Sequence, residues 1–125
     1  VPYVGQSTYI GNFKDLYTKA QKAIYTEGAA FLNVMSPCPR GWGYEPSELM
    51  NICKMAVETC YWPLFEVIDG KWILNYVPKN KMPIEEFLRP QRRFKHLFKK
   101  GNEELIGLFQ AEIDKRWEEL RNRCE

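Results

Sequence analysis

The sequence predicts an α/β fold, and three observations support this prediction. The first 35 residues show a strand–helix–strand pattern, in which apolar runs flank a segment with helical spacing of apolar residues. An Asp-Gly pair at positions 69–70 separates two β-rich runs, which is a strong hairpin signal. The C-terminal part carries one long apolar stripe at helical spacing. The expected order is therefore two parallel strands with a crossover helix, a second helix, a β-hairpin and a helical tail.

The strand–helix–strand unit is predicted over residues 1–35. Residues 1–4 are typical of a short buried strand, and residues 5–11 of a polar connection. Asn12 is a suitable cap for the helix, and Gly28 ends it. A second buried strand over residues 30–35 implies a parallel pair with a right-handed crossover, to which further strands must add. The helix is expected to bury Phe13, Leu16, Tyr17, Ala20, Ala23 and Ile24, and to turn Lys14, Lys19 and Lys22 to water.

The remaining elements follow from the same patterns. An acidic, proline-first segment starts a helix with the apolar face Leu49, Cys53, Ala56, Val57 and Cys60. Residues 64–68 and 71–76 form the hairpin, residues 77–82 an extended linker, and residues 83–88 a short helix. Asn102 is expected to cap the last helix, whose apolar stripe is Leu105, Leu108, Phe109, Ile113, Trp117 and Leu120.

Size and composition limit the class of protein. A chain of 125 residues fits one small domain or a piece of a larger one, and its net charge of +2 indicates no overall preference for polyanions. No apolar run reaches membrane-spanning length, and no signal peptide is recognisable. The chain opens on a strand rather than on Met, so we expect a fragment or a processed piece of a longer protein. Four cysteines without a C-x-x-C pair favour reduced thiols in a cytoplasmic protein.

Residues 89–100 form a basic segment that is interleaved with apolar side chains. Such a segment could dock an acidic partner, nucleic acid or an anionic lipid surface. More often, such a segment is the solvated face of an apolar stripe that packs on the domain. His96, the only histidine, lies among lysines and is interpreted as a surface residue.

Cys38 is the main candidate for chemistry. It follows the strand over residues 30–35, and ligands of open parallel α/β sheets bind just beyond the carboxyl ends of such strands. Pro37 and Pro39 fix the backbone on both sides of the thiol, and Arg40 adds positive charge that favours a thiolate. Four roles stay open: a nucleophile, half of a disulfide, an inert thiol, or a ligand of a metal or cluster that cysteines outside the chain complete.

Five segments in order resemble the C-terminal half of the β subunit of 2-oxoacid:ferredoxin oxidoreductases, with the pyruvate:ferredoxin oxidoreductase (pyruvate synthase) branch fitting best. They are residues 36–43 (SPCPRGWG), 56–59 (AVET), 62–67 (WPLFEV), 83–88 (PIEEFL) and 92–97 (RRFKHL). The resemblance implies the C-terminal piece of a thiamine diphosphate-binding parallel-sheet domain, followed by a β-hairpin and a helical tail. Its expected parts are the end of that domain over residues 1–62, the hairpin over 63–77, and a linker with a helical tail for subunit contacts over 78–125.

The resemblance also implies a function for Cys38. In this family the matching cysteine is the fourth ligand of the [4Fe–4S] cluster nearest to the thiamine, so Cys38 is the expected cofactor and metal ligand, and no catalytic residue is assigned. The other three ligands, thiamine diphosphate and magnesium belong to the N-terminal half of the subunit, so this chain alone is expected to be inactive. Implied partners are the remainder of the β subunit, the other subunits, ferredoxin, coenzyme A and a 2-oxoacid, with no membrane or nucleic acid. Pyruvate is favoured, and branched-chain 2-oxoacids and oxalate are alternatives.

The contrasting hypothesis is a stand-alone interaction module that docks an acidic partner or nucleic acid through residues 89–100.

Overall fold

One mixed four-stranded sheet organises the chain in this computed structural model, which describes residues 1–11 and 13–124. The strands are β1 (Tyr3–Ser7), β2 (Ala30–Val34), β3 (Phe65–Ile68) and β4 (Lys71–Leu74), in the order β2-β1-β3-β4. The helices are α1 (Lys14–Tyr25), α2 (Pro39–Trp42), α3 (Leu49–Glu58), α4 (Glu85–Leu88) and α5 (Glu103–Arg123), with 3₁₀ helices at Pro46–Glu48 and Arg92–Phe98. The predicted α/β class is confirmed. No helix in the described ranges is both long and apolar enough to cross a bilayer.

The predicted strand–helix–strand unit and hairpin are both present, and they share the sheet. β1 pairs in parallel with β2 and antiparallel with β3, so the hairpin of β3 and β4 extends the sheet on the other side of β1. Asp69 and Gly70 form the hairpin turn with φ of 50° and 80°, the left-handed conformation that this dipeptide favours. The domain boundaries at residues 62 and 77 stay a prediction.

β1 runs further along the chain than the sequence predicts. Residues 5–7 belong to the strand rather than to a polar connection, and Val1 lies outside it, three-quarters exposed. A β-carbon at Gly5 would lie 2.8 Å from the hydroxyl of Tyr3, whose side chain crosses this position to reach Glu66. The glycine that suggested a connection therefore makes room for a buried side chain.

The predicted orientation of α1 is correct only in part: Leu16, Ala20 and Ala23 are half-buried and Lys14 and Lys22 are exposed, as expected. Lys19, expected in water, is 2% exposed, because its ammonium group donates to the Gln6 carbonyl and to Asp15. Apolar side chains that were expected in the core are exposed instead, namely Phe13, Tyr17 and Ile24 on the helix side and Phe31 and Val34 on β2. β2 is thus an edge strand of the described sheet rather than a buried one. The predicted cap Asn12 lies outside the described residues.

The hydrophobic core lies on the helical side of the chain. Ile52 and Ala56 of α3 pack with Ile84, Phe87 and Leu88 from around α4, and all five side chains are fully buried. α5 adds Ile113, Trp117 and Leu120, as its apolar stripe predicts, but Leu105 and Leu108 of the same stripe are 44% and 59% exposed. Asn102 precedes α5, but its side chain donates to the His96 carbonyl instead of capping the helix.

Candidate functional site

Cys38 lies at the carboxyl end of β2, on a segment that is anchored to β1. The Met35 amide donates to the Ser7 carbonyl at 3.1 Å, and the Thr8 hydroxyl donates to the Met35 carbonyl at 2.8 Å. Ser7 and Thr8 are both buried. The chain therefore leaves the sheet in a fixed direction before it reaches the cysteine, as the sequence predicts for a strand-end position.

The segment after Cys38 is a helical turn, α2. Cys38 occupies the N-cap position of α2 and is exposed, and its sulfur accepts the Gly41 amide at 3.4 Å. Its carbonyl accepts the Trp42 amide at 2.8 Å. Pro39 suits the first helical position of this turn. An amide hydrogen at that position has no partner within a helix, so its absence in proline costs nothing. We call residues 38–44 the cysteine turn.

Gly43 ends the cysteine turn and contacts the basic segment. Its φ of 77° is left-handed, and a β-carbon there would lie 2.7 Å from Cβ of Arg92. The Arg92 amide donates to the Gly43 carbonyl at 2.9 Å. Glycine is therefore favoured at position 43 for two reasons: it adopts the left-handed conformation easily, and it leaves room for Arg92. The structure does not require glycine at position 41 in the same way, since a β-carbon there would make an ordinary 3.6 Å contact with the Cys38 sulfur.

The basic segment packs on the cysteine turn through its buried side chains. The Arg93 guanidinium lies 3.8 Å from the centroid of the Trp42 ring, and its Nε donates to Gln91 Oε1 at 2.6 Å. Gln91 and Leu97 are buried, while Arg92, Lys95, Lys99 and Lys100 are exposed. The segment is therefore a solvated face over a packed stripe, as its pattern favours, and Arg93 belongs to the packed side.

Two buried polar groups beside the cysteine turn have no hydrogen-bond partner in the part of the chain that the structure describes. They are the Tyr44 hydroxyl and Nη2 of Arg93. Burial raises the pKa of the Tyr44 hydroxyl, and the nearby Cys53 and Cys38 thiols raise it further, so this hydroxyl keeps its proton. Burial likewise lowers the pKa of Arg93. Both groups are donors, and sequence reasoning gave no signal for either.

The four cysteines are free thiols and do not form a cluster. Cys53 and Cys60 are buried, Cys124 is half-buried, and only Cys38 is exposed. Burial raises the pKa of Cys60 to about 11, as expected for a thiol that fills space. Among the described residues, no group of three or more His, Cys, Asp or Glu side chains could hold a metal ion. The described residues thus offer one exposed thiol and no group of ligands that could complete a metal site around it.

A polar network that the sequence did not predict holds the sheet and α1 together. The buried Glu66 carboxylate accepts bonds from Tyr3 at 2.7 Å, Lys22 at 3.0 Å and Asn75 at 2.9 Å. Burial alone would raise the pKa of Glu66, but these bonds together lower it below its usual value. The sequence does contain one sign of this network, a glutamate within the apolar run of residues 64–68, because a buried carboxylate needs hydrogen-bond partners.

Comparison with curated proteins places the chain in a family. No protein-family model matches it. It is 44% identical over 114 residues to pyruvate synthase subunit PorB of Methanosarcina barkeri, a match that covers 90% of this chain and 38% of that protein. PorB of Thermotoga maritima is 40% identical, with 85% and 33% covered. Ketoisovalerate oxidoreductase subunit VorB of Pyrococcus abyssi is 35% identical, with 100% and 39% covered. The chain therefore spans only about two-fifths of the length of these relatives, and over that span it belongs to the 2-oxoacid:ferredoxin oxidoreductase family, as a counterpart of the PorB and VorB subunits.

Proposed function

We propose that the chain is part of the β subunit of a thiamine diphosphate- and iron–sulfur-dependent 2-oxoacid:ferredoxin oxidoreductase, in which Cys38 is the fourth ligand of a [4Fe–4S] cluster. Such an enzyme forms an acyl-coenzyme A and CO2 and transfers electrons to ferredoxin. The observation that carries the proposal is one exposed thiol on an anchored turn, in a chain whose relatives are PorB and VorB subunits.

The residues of the cysteine turn fit a cluster ligand. The Cys38 sulfur is exposed, and the Gly41 amide already donates to it. Amide donors to ligating sulfurs are a usual feature of iron–sulfur sites. When bound, the cluster would supply one-electron transfer. The task of this chain is then to hold one sulfur at a fixed place, which the Ser7, Thr8 and Gly43 contacts do. None of its residues is assigned to thiamine or magnesium, which we assign to the remainder of the subunit.

The exposed apolar side of α1 and β2 is consistent with a larger subunit. Tyr17, Ile24 and Tyr25 are 67%, 77% and 78% exposed, and Phe31 on β2 is 57% exposed. The outer edge of β2 has no strand beside it in the described part of the chain. Exposed apolar surface next to an open strand edge marks an interaction surface. We assign it to the remainder of the subunit, since the relatives are more than twice as long as this chain.

Pyruvate is the proposed substrate, with branched-chain 2-oxoacids as the alternative. Identity to PorB of Methanosarcina barkeri is 44%, against 35% to VorB of Pyrococcus abyssi. The other proposed partners are ferredoxin, coenzyme A and the remaining subunits. No observation specifically favours the contrasting hypothesis of a stand-alone module that docks through residues 89–100.

The proposal is tested in the full-length subunit that contains this chain, assembled in its complex. Cys38→Ala should lower the iron and sulfide content by about one four-iron cluster per subunit, weaken the visible absorption, and slow ferredoxin reduction. Cys124→Ala is the matched control, because it removes a half-buried thiol at the end of α5. Full iron content and an unchanged spectrum in Cys38→Ala would rule the assignment out.

A further inference from the structure

The basic segment lines a positively charged cavity on its exposed side. In the 3₁₀ helix Arg92–Phe98, residues three apart lie above one another, so Arg92, Lys95 and Phe98 share one side. The Arg89 guanidinium lies 4.6 Å from the centroid of the Phe98 ring and extends the same side. We call this the basic cavity; it has a volume of about 280 Å³, and its lining residues are Arg89, Pro90, Gln91, Arg92, Lys95 and Phe98.

The positive charge around the basic cavity is not balanced within the described part of the chain. Residues 89–100 carry six lysines and arginines and no acidic residue, although the whole chain has a net charge of only +2. Arg89 pairs with Glu85 at 3.0 Å, and Arg93 lies on the Trp42 ring. Four exposed cations form no ion pair with any described residue, namely Arg92, Lys95, Lys99 and Lys100. The cavity is therefore complementary to carboxylate groups of a partner.

An apolar groove adjoins the basic cavity, because Leu97 lines the groove and its chain neighbour Phe98 lines the cavity. Leu105 and Leu108, which are neighbours on the surface of α5, line the groove and are 44% and 59% exposed. The buried Ile113 also lines the groove, which has a volume of about 440 Å³. Contiguous exposed apolar side chains mark an interaction surface.

We infer that the basic cavity and the apolar groove together dock an acidic amphipathic segment of another subunit of the oxidoreductase complex. Carboxylates of that segment contact the cavity, and its apolar side chains fill the groove. This inference rests on the proposed function, which implies further subunits. The surface lies on α5 and the 3₁₀ helix, whereas the apolar surface that we assign to the remainder of the β subunit lies on α1 and β2. The groove favours a resident subunit over a transient electron acceptor, because lasting interfaces bury more apolar surface than redox encounters do.

Zero-length crosslinking in the assembled full-length complex identifies the occupant. A carbodiimide joins a lysine ammonium group to a carboxylate that contacts it, so we expect Lys95 to be coupled to Asp or Glu of another subunit. The coupled peptide should contain an excess of acidic residues and apolar residues beside them. Lys95→Arg is the control, because it keeps the charge but cannot be coupled in this way. Coupling of Lys95 only to the β subunit itself or to ferredoxin, binding of nucleic acid instead, or no coupling at all would overturn the inference.

Two substitutions test the two halves of the surface separately. Lys95→Glu in the basic cavity and Leu108→Gln in the groove should each raise the dissociation constant between the β subunit and its partner about tenfold. Added salt should reduce the effect of Lys95→Glu but not that of Leu108→Gln. The controls are Lys71→Glu and Val77→Gln, which change exposed side chains that line neither the cavity nor the groove.

Iron content separates this inference from the proposed function. All four substitutions should leave the iron content of the β subunit unchanged, whereas Cys38→Ala should lower it. If Cys38→Ala loses the cluster but Lys95→Glu and Leu108→Gln bind the partner as tightly as their controls do, the docking surface is wrong and the proposed function stands. If Cys38→Ala keeps its cluster, the proposed function fails on its own test.

Discussion

The guanidinium of Arg93 lies 3.8 Å from the centroid of the Trp42 ring, so the C-terminal tail packs directly on the turn that presents Cys38. Arg93 also lies 4.4 Å from the centroid of Phe94 and bonds Gln91 through Nε. A planar guanidinium can lie on a ring while its N–H groups donate in its own plane, whereas an ammonium group has no plane with which to stack. The tail thus holds the cysteine turn in addition to its anchors on the sheet.

Arg93→Lys should destabilise the chain by about 1–2 kcal/mol, since it keeps the charge but loses the stack and the bond to Gln91. The free energy of unfolding from denaturant titration measures this change. Hydrogen exchange at the Trp42 amide, which bonds the Cys38 carbonyl, should become faster. The control is Arg92→Lys, which alters an exposed side chain and should stay within about 0.5 kcal/mol of wild type. Equal effects of the two substitutions would show that the stack adds nothing.

Gly43→Ala separates steric contact from backbone strain at the end of the cysteine turn. Its left-handed φ costs a residue with a β-carbon about 1–2 kcal/mol, and the 2.7 Å approach to Arg92 adds a clash. Gly70→Ala is the matched control, because Gly70 has a φ of 80° and no atom near the added carbon. We expect denaturant titration to show Gly43→Ala as the more destabilising by at least about 1 kcal/mol. Equal losses for the two variants would contradict the close contact between the turn and the tail.

Local patterns predicted much of the fold, but they failed where a polar side chain is buried. The Asp69-Gly70 turn, the strand before Cys38 and the inner stripe of α5 follow from spacing and turn chemistry alone. The burial of Lys19 does not, because helical spacing placed the lysines of α1 in water. Lys19 is buried and donates to the Gln6 carbonyl, 13 residues away, a contact that no helical period encodes.

The candidate site was predicted only in part for a similar reason. The exposed Cys38 at a strand end was predictable from one apolar run and two prolines. The contacts of Gly43 with Arg92 and of Trp42 with Arg93 join segments about 50 residues apart, and only packing reveals them. The unpaired Tyr44 hydroxyl could not be predicted either, since whether a tyrosine finds a partner depends on the whole surrounding structure.

The buried pair of Lys19 and Asp15 should contribute more than a surface ion pair. Lys19 Nζ lies 2.9 Å from Asp15 Oδ2, and Ser7 also donates to that oxygen at 2.5 Å. Lys19→Met would leave the Gln6 carbonyl without this donor, so we expect a loss of about 3 kcal/mol in the free energy of unfolding. A double-mutant cycle with Asp15→Asn should give a coupling energy above about 1 kcal/mol.

The exposed pair of Arg116 and Glu112 on α5 is the comparison for that cycle. Both side chains are more than half exposed, and their atoms lie 2.9 Å apart. Its coupling energy should be about 0.5 kcal/mol or less. Equal coupling in the two pairs would mean that the burial of Lys19 does not strengthen its interaction.

Because of Glu66, the free energy of unfolding should fall as the solution becomes acidic. Its pKa is lowered in the folded state by bonds from Tyr3, Lys22 and Asn75, despite burial that alone would raise it. The stabilisation is therefore fully present above the usual pKa of a glutamate, about 4.3, and is lost as pH falls from there toward the lowered value. Glu66→Gln should cost about 2 kcal/mol at pH 7 and should flatten the fall in unfolding free energy below about pH 4.5.

Asp114 offers a control for that pH profile. Its pKa is also lowered, mainly by a bond from Lys81, but its side chain is half exposed to solvent. Asp114→Asn should therefore change stability and its acid dependence less than Glu66→Gln does, because solvent screens an exposed pair. An unchanged acid slope in Glu66→Gln would show that the network around Glu66 forms equally well with a neutral side chain.

Cysteine labelling tests whether Cys38 is the accessible thiol of this chain. Only the thiolate reacts, and it must be reachable, so exposed Cys38 should be modified first and half-buried Cys124 more slowly. The pKa of Cys60, raised to about 11, leaves roughly one thiolate in a thousand at pH 8, and burial also restricts access to it. Peptide mapping after brief alkylation of the native chain gives the order, and alkylation in denaturant should make all four sites react at similar rates. Cys38→Ser should remove only the fast phase of the reaction. Fast modification of Cys53 or Cys60 in the native chain would contradict their burial and the assignment of Cys38 as the accessible thiol.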